Sequence, residues 1–216
     1  PEALISNDME ETLKYCVSCK ACKRECPTSV DMAKMKLEVT ALRSVAKGVS
    51  LKDKLIAFLP DYAPFASKLS FFMNLRNKFA LLAYIVERTI GFTSKREMPT
   101  WHSDYFRDKE ILKNLPEQKV VKGSKAVILF VDTFNRYFEP EIVRDAINFL
   151  EAAGYHVFMP KTPRNKPLCC GRTYLTSGLI KQAKKKAQTL VTILAPFAEQ
   201  EIPIVGLEPS CLLALR

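Results

Sequence analysis

The spacing of apolar positions along the chain changes character twice. Residues 1–47 show helical spacing. Asn7 or Asp8 is placed to cap a short helix whose first turn carries Glu10 and Glu11, acidic groups that favour a positive helix end. After Pro27, Ser29 is placed to cap a longer helix with Val30, Ala33, Leu37, Ala41 and Val45 along one face and Gly48 as its stop. Residues 51–114 predict further helices, interrupted at Pro60, Pro64, Gly91 and Pro99. In that stretch Phe65, Leu69, Phe72 and Leu75, then Phe79, Leu82, Ile85 and Val86, recur every three or four positions with Lys and Arg between them. Such stripes serve either a membrane surface or a packed helix pair; core packing is the expectation, because most of them face a core.

From Lys125 the period shortens. Ala126 to Val131 is a continuous apolar run of strand length, Glu139 to Ala152 reads as a helix, and Gly154 stops it. Tyr155 to Met159 is a second short strand; a helix from Leu179 to Phe197 leads through Pro203 to a third, Ile204 to Leu207. Strands of this buried type alternating with helices predict a parallel sheet. The expected class is α+α/β in three stretches: a cysteine-bearing helical segment at 1–50, a helical connecting region at 51–122, and a small α/β domain at 123–216.

Composition narrows the chemistry. The seven glycines at 48, 91, 123, 154, 171, 178 and 206 form no G-x-G and no phosphate-cradling loop, so any flavin or nucleotide must sit elsewhere. The longest apolar run, Phe79 to Val86, is eight residues, far short of the roughly 20 that span a bilayer. The net charge of +10 suits an anionic surface or an acidic partner, yet no nucleic-acid motif accompanies it, and nucleic-acid binding is not expected. The chain opens on Pro1 and ends at Arg216, five residues past Cys211, and both ends read as cuts in a longer polypeptide.

Seven cysteines cannot all pair internally, and their spacing is informative. Cys16-Val-Ser-Cys19-Lys-Ala-Cys22-Lys-Arg-Glu-Cys26-Pro27 is C-x2-C-x2-C-x3-C-P. Three thiolates at spacing three can wrap one corner of a cuboidal [4Fe–4S] cluster, while the proline turns the chain so that the fourth reaches a different cluster. A zinc knuckle or unliganded thiols are the alternatives; zinc prefers ligand pairs across a longer loop, often with His, and no His precedes His102. A second such motif is absent, so the fourth ligand of the first cluster, and the cluster that would use Cys26, need residues from beyond this chain.

A second group comprises Cys169-Cys170-Gly171 and Glu208-Pro209-Ser210-Cys211. If the three strands are parallel, these cysteines follow strand ends, where open sheets bind ligands, and Asp132 at the end of the first strand is a candidate oxygen ligand. The group is either a site for a single metal ion or a redox centre, or else a set of small buried hydrophobes. Lys161, Arg164, Lys166, Arg172, Lys181, Lys184, Lys185 and Lys186 surround Cys169 and Cys170 in sequence, with no acid between Ala152 and Ala198. Clustered cations favour thiolates and attract anionic partners; Arg172 is the cation singled out for binding, and Lys184 to Lys186 are expected to be a solvated helix face. His156 is expected as a core histidine, Tyr174 and Asn135 as loop hydrogen-bonders, and Trp101-His102 carries no signal.

The segments Val131-Asp132-Thr133-Phe134-Asn135-Arg136-Tyr137-Phe138-Glu139-Pro140, Leu168-Cys169-Cys170-Gly171-Arg172 and Gly206-Leu207-Glu208-Pro209-Ser210-Cys211, with the first cysteine motif, resemble the iron–sulfur part of FAD-linked D-2-hydroxy-acid dehydrogenases. The Cys-Cys-Gly region also resembles that of heterodisulfide reductase. It departs from that wider pattern at Asp132-Thr133 and at Ala214, where cysteines are usual. The resemblance implies a ferredoxin-like helical segment followed by a Cys-Cys-Gly domain. It further implies [4Fe–4S] clusters on Cys16, Cys19, Cys22 and Cys26, FAD on an upstream domain, and metal or redox roles for Cys169, Cys170 and Cys211. Electrons from reduced flavin would pass through the clusters to a quinone or a carrier protein. A cytoplasmic location, or peripheral association with the inner membrane face, goes with this. Two other readings stay open: a thiol–disulfide reductase and a zinc-binding interaction module.

Overall fold

A computed structural model describes residues 2–112, 125–163 and 166–213; Pro1, Gly123, Arg164, Ala214, Arg216 and the expected boundary at 122/123 lie outside them. In chain order the elements are a 3-10 helix Glu2–Ile5, α1 Asn7–Lys14, α2 Ala21–Glu25, α3 Met32–Lys47, α4 Leu51–Ala57, α5 Leu59–Lys68, α6 Ser70–Lys78, α7 Ala80–Ile90, α8 Lys109–Leu112, β1 Ala126–Phe130, α9 Thr133–Tyr137, α10 Pro140–Ala152, β2 His156–Phe158, α11 Arg172–Thr176, α12 Ile180–Glu199, β3 Ile204–Gly206 and α13 Pro209–Leu212. The α+α/β class follows from this order. The chain forms two units: Pro1–Phe58 with Gly171–Lys184, and Leu59–Cys170 with Lys185–Arg216.

In the first unit the helices start one or two residues away from the expected caps. Ser6, rather than Asn7 or Asp8, caps α1 by accepting the Met9 N–H at 3.1 Å. Asp31, rather than Ser29, caps α3 by accepting the Lys34 N–H at 2.9 Å, because Ser29 is taken up in a left-handed turn (φ 55°) after Pro27. The expected apolar stripe on α3 fails at its ends: Val45 is 88% exposed and Val30 is exposed, whereas Ala33 and Val39 are buried. The packed side of α3 is largely polar. Lys36 donates to the Cys16 carbonyl at 2.6 Å, Arg43 donates to the carbonyls of Ile5 and Ser6 and pairs with Glu10, and Lys47 donates to Asn7 Oδ1. Long cationic side chains reach backbone carbonyls that an apolar stripe would have left unpaired.

The second unit is built on a three-stranded parallel sheet in the order β2-β1-β3, with Val127 opposite Val157 and Leu129 opposite Val205. The strands are slightly shorter than expected, losing Val131, Tyr155, Met159 and Leu207. Every residue of β1 is buried, and alternate side chains feed two cores. Ala126, Ile128 and Phe130 pack with Leu190 and Leu194 of α12 and with Ile202; Val127, Leu129 and Val131 pack with Phe106, Val143 and Val157. His156 corrects its expectation: it opens β2 with an exposed side chain, since edge-strand ends face water.

The helical part of this unit departs from the breaks expected at its prolines. Pro60 occupies the first turn of α5, where a missing N–H costs nothing, and Pro64 lies inside the same helix. Trp101, uninformative in sequence, is buried against Ala63, Ala66 and Tyr137, its ring 4.6 Å from that of Phe138. Two side-chain amides of α6 hold its segment in place: Asn74 exchanges hydrogen bonds with both backbone groups of Trp101, and Asn77 does the same with Met98.

Gly171 caps α11 at φ 84°, and a Cβ there would lie 2.6 Å from the Ala183 carbonyl oxygen. Gly178 meets the Thr40 carbonyl in the same way. Gly171→Ala is therefore expected to lower stability by roughly 2 kcal/mol or more, combining left-handed strain with a backbone clash; an unchanged urea midpoint would contradict this packing.

Candidate metal centre

The first four cysteines lie on a loop that two short helices frame. Cys16 follows α1, its N–H donating to the Leu13 carbonyl; Cys19 sits between Ser18 (φ 58°) and Lys20 (φ 61°); Cys22 is in α2 and Cys26 ends it. Three of the four non-glycine residues with positive φ among the described residues are Ser18, Lys20 and Ser29, all in this segment. Left-handed backbone at ordinary residues costs about 1 kcal/mol or more each and concentrates where side chains must be aimed. Here it turns the chain on both sides of Cys19.

The thiols are accessible and polarised. Cys19 is exposed, Cys16, Cys22 and Cys26 are half-buried, and none of the seven cysteines is in a disulfide. The Met32 N–H donates to Cys22 Sγ at 3.4 Å, tying α3 to the loop. Cys26 Sγ lies 3.1 Å from Thr28 Oγ1. The Thr28 hydroxyl, with the backbone N–H groups of residues 28–30, holds the Cys26 thiol below its ordinary pKa. The donor set of soft thiolates receiving N–H and O–H hydrogen bonds fits an iron–sulfur group or another soft metal. Among the described residues, no three His, Cys, Asp or Glu side chains are gathered closely enough to hold one ion.

The second group is differently placed. Cys169, Cys170 and Cys211 are all buried. Cys170 and Cys211 belong to the core cluster formed around Ile128 and Phe130, and Cys169 stands outside it. Cys211 is set there by a short capping motif: Glu208 accepts the Ser210 N–H at 3.1 Å, Pro209 opens α13, and Cys211 turns inward. The Asp132 carboxylate is buried and caps α9, its Oδ1 accepting from the N–H groups of Phe134 and Asn135 and its Oδ2 from Asn135 Nδ2 at 2.6 Å. Arg172 is half-buried as the first residue of α11, and Tyr174 is buried in the same helix. Lys184 and Lys185 are exposed, as a solvated helix face requires, whereas Lys186 pairs with Asp61 at 2.6 Å.

One residue passed over in sequence stands out at the strand ends. Arg136 is 3% exposed, pairs with Asp108 at 2.5 Å and donates to the Phe106 carbonyl, while its Nε has no hydrogen-bond partner. It lines a recess at the ends of β1 and β2, with Leu129, Met159 and Thr162, large enough for about one water. Its signal in the sequence is its place in the Val131–Pro140 segment. A cavity of about 510 Å3 lies instead in the first unit, lined by Lys14, Lys36, Arg43, Lys47 and Asp53 among others.

Against curated proteins, the chain is similar to the D-2-hydroxyglutarate dehydrogenases of Haemophilus influenzae, at 23% identity over 217 residues, and Escherichia coli, at 24% over 221. A third protein of that name, from Pantoea ananatis, is 23% identical over 220 residues. The similarity runs nearly end to end. It takes in 98% of this chain, which spans about a fifth of the relatives' length (20% and 21%). No family model matches the chain, and no solved structure matches it.

The Cys26 environment has a direct readout. In the metal-free chain, alkylation of Cys26 is expected to show its pH midpoint below that of an ordinary thiol, because the hydrogen bonds favour thiolate. Thr28→Val removes the largest of them and is expected to move the midpoint upward. Peptide-resolved labelling with iodoacetamide across pH measures both; an unmoved midpoint in the variant would rule out this arrangement.

Proposed function

We propose that this chain is the iron–sulfur electron-transfer part of a flavin-linked 2-hydroxy-acid dehydrogenase. The observation that carries it is the Cys16–Pro27 motif within a chain similar, over 98% of its length, to proteins named D-2-hydroxyglutarate dehydrogenase. On this reading the first segment is ferredoxin-like and the last is a Cys-Cys-Gly domain. Cys16, Cys19 and Cys22 hold a [4Fe–4S] cluster, and Cys26 serves a second one; bound there, such clusters supply one-electron steps between reduced FAD and a quinone or carrier protein. The FAD and the oxidation of the hydroxy acid belong to parts of the enzyme beyond these residues.

The chain's own residues hold and tune. Lys36, through the Cys16 carbonyl, fixes the loop on α3. The Met32 N–H stabilises negative charge on Cys22 Sγ, and Thr28 does the same for Cys26. Hydrogen bonds of this kind are among the protein's means of setting a cluster's potential. A cytoplasmic place goes with this reading. No helix among the described residues is long and apolar enough to cross a membrane.

Anaerobic purification of the natural protein, with iron and acid-labile sulfide assays, tests the reading. Iron and sulfide in near-equal amounts are expected, together with broad visible absorbance. Cys16→Ser and Cys22→Ser should each lose iron, and Cys169→Ser should retain it. Stoichiometric zinc in a colourless protein would replace this reading with an interaction module. Disulfide reductase turnover that survives removal of the first four cysteines would replace it with thiol chemistry at Cys169, Cys170 and Cys211.

A further inference from the structure

The apolar stripe of α7 does not reach a core: Ala83 alone of its residues is buried, and Leu81 is 70% exposed. A face of that kind accepts many partners. The cavity in the first unit is more selective. It holds about 510 Å3, within the roughly 300–1,000 Å3 of small-molecule sites, and all its walls belong to that one unit. Residues of α1 form one wall and residues of α3 another; the turn into α4 and the end of α11 close it. Leu13 and Val39, both buried, supply its apolar part.

The ionisable residues lining this cavity are Glu10, Lys14, Lys36, Arg43, Lys47 and Asp53. Arg43 and Glu10 neutralise one another as an ion pair. Lys36 and Lys47 each donate to one neutral acceptor, the Cys16 carbonyl and Asn7 Oδ1, so both keep their charge and further N–H donors. Lys14 is exposed and has no hydrogen-bond or ion-pair partner among the described residues. Asp53, which accepts from the Ser50 hydroxyl at 2.6 Å, is the single carboxylate left against these three ammonium groups. The hydroxyls of the wall offer no donors. Those of Thr40, Ser44, Thr176 and Ser177 already donate to backbone carbonyls, and that of Ser50 is taken by Asp53. The side-chain donors left for a ligand are therefore cationic, and the ligand must bring acceptors and negative charge. A space of this volume is roughly 10 Å across, close to the Debye length of about 8 Å at physiological salt, so the three charges act together on what enters.

We propose that this cavity binds a small multivalent oxyanion, a dicarboxylate or a phosphate, held between Lys14 of α1 and Lys36 and Lys47 of α3. Lysine suits such a ligand as a mobile point charge that meets either oxyanion without the fixed fork of arginine. The site stands apart from the function proposed above and does not depend on it. Lys36 nonetheless serves both, because its ammonium also fixes the cysteine loop through the Cys16 carbonyl.

Lysine footprinting of the natural full-length protein tests the site. Acylation of each lysine by an amine-reactive ester is followed by peptide mapping, with succinate, with inorganic phosphate, or with sodium chloride at matched ionic strength. Succinate or phosphate at millimolar concentration is expected to slow acylation of Lys14 and Lys47 several-fold and saturably. Lys184, an exposed lysine that does not line the cavity, should react at an unchanged rate. Whichever of the two anions protects at the lower concentration identifies the oxyanion class. Lys14→Gln removes one ammonium at an exposed position without a partner, so the fold is kept, and it is expected to raise the concentration for half-protection of Lys47 several-fold. Protection by neither anion, equal slowing at Lys184, equal slowing in chloride, or an unmoved half-protection in Lys14→Gln would each overturn the proposal.

Discussion

Burial of β1 on both faces is the constraint on which the second unit depends. A strand with both faces covered must be apolar throughout, and Ala126 to Phe130 is. Its alternate side chains then require a layer on each side, which α12 supplies on one and the Phe106–Val143 cluster on the other. Because the chain leaves β1 directly into the Asp132 cap, that burial also sets where α9 begins and why Arg136 and Tyr137 end up inside. Burial in turn raises the Tyr137 pKa well above its ordinary value, so this hydroxyl stays protonated throughout the neutral range.

The seven thiols fall into two physical environments, and the difference bears on their chemistry. Cys170 and Cys211 are buried side chains of the core cluster around Ile128 and Phe130. The first four lie on a loop with left-handed backbone at Ser18, Lys20 and Ser29, tied to α3 through Lys36 and the Met32 N–H. A loop that holds residues in left-handed backbone needs something to stabilise it. In the proposed function, metal binding to the thiolates supplies that stabilisation, since binding that gathers ligands dispersed in the unfolded chain contributes its free energy to folding.

Elements whose physics is local were readable from sequence. The three strands, α10, α12, the stop at Gly91 and the parallel sheet all follow from period and punctuation. The cap of α3 was misplaced because Ser29 and Asp31 are both good caps, and only the turn after Pro27 decides between them. The apolar face of α3 differs from expectation because the backbone carbonyls of Ile5, Ser6 and Cys16 and the side-chain amide of Asn7, absent from any helical wheel, recruit Arg43, Lys36 and Lys47. His156 and the α7 stripe failed for a related reason: hydrophobic spacing says that a face can be buried, and not what is present to bury it. No role for Arg136 is legible in the sequence, since its pairing with Asp108, 28 residues earlier, is a tertiary event.

The central claim is that electrons from a reduced flavin reach the cysteine-bearing segment. Freeze-quench electron paramagnetic resonance of the natural protein, after anaerobic mixing with a D-2-hydroxy acid, tests it most directly. The account predicts flavin bleaching followed by a reduced iron–sulfur signal, with that signal lost in Cys22→Ser while bleaching persists. Flavin that bleaches with no iron–sulfur signal in the unmutated protein would contradict it.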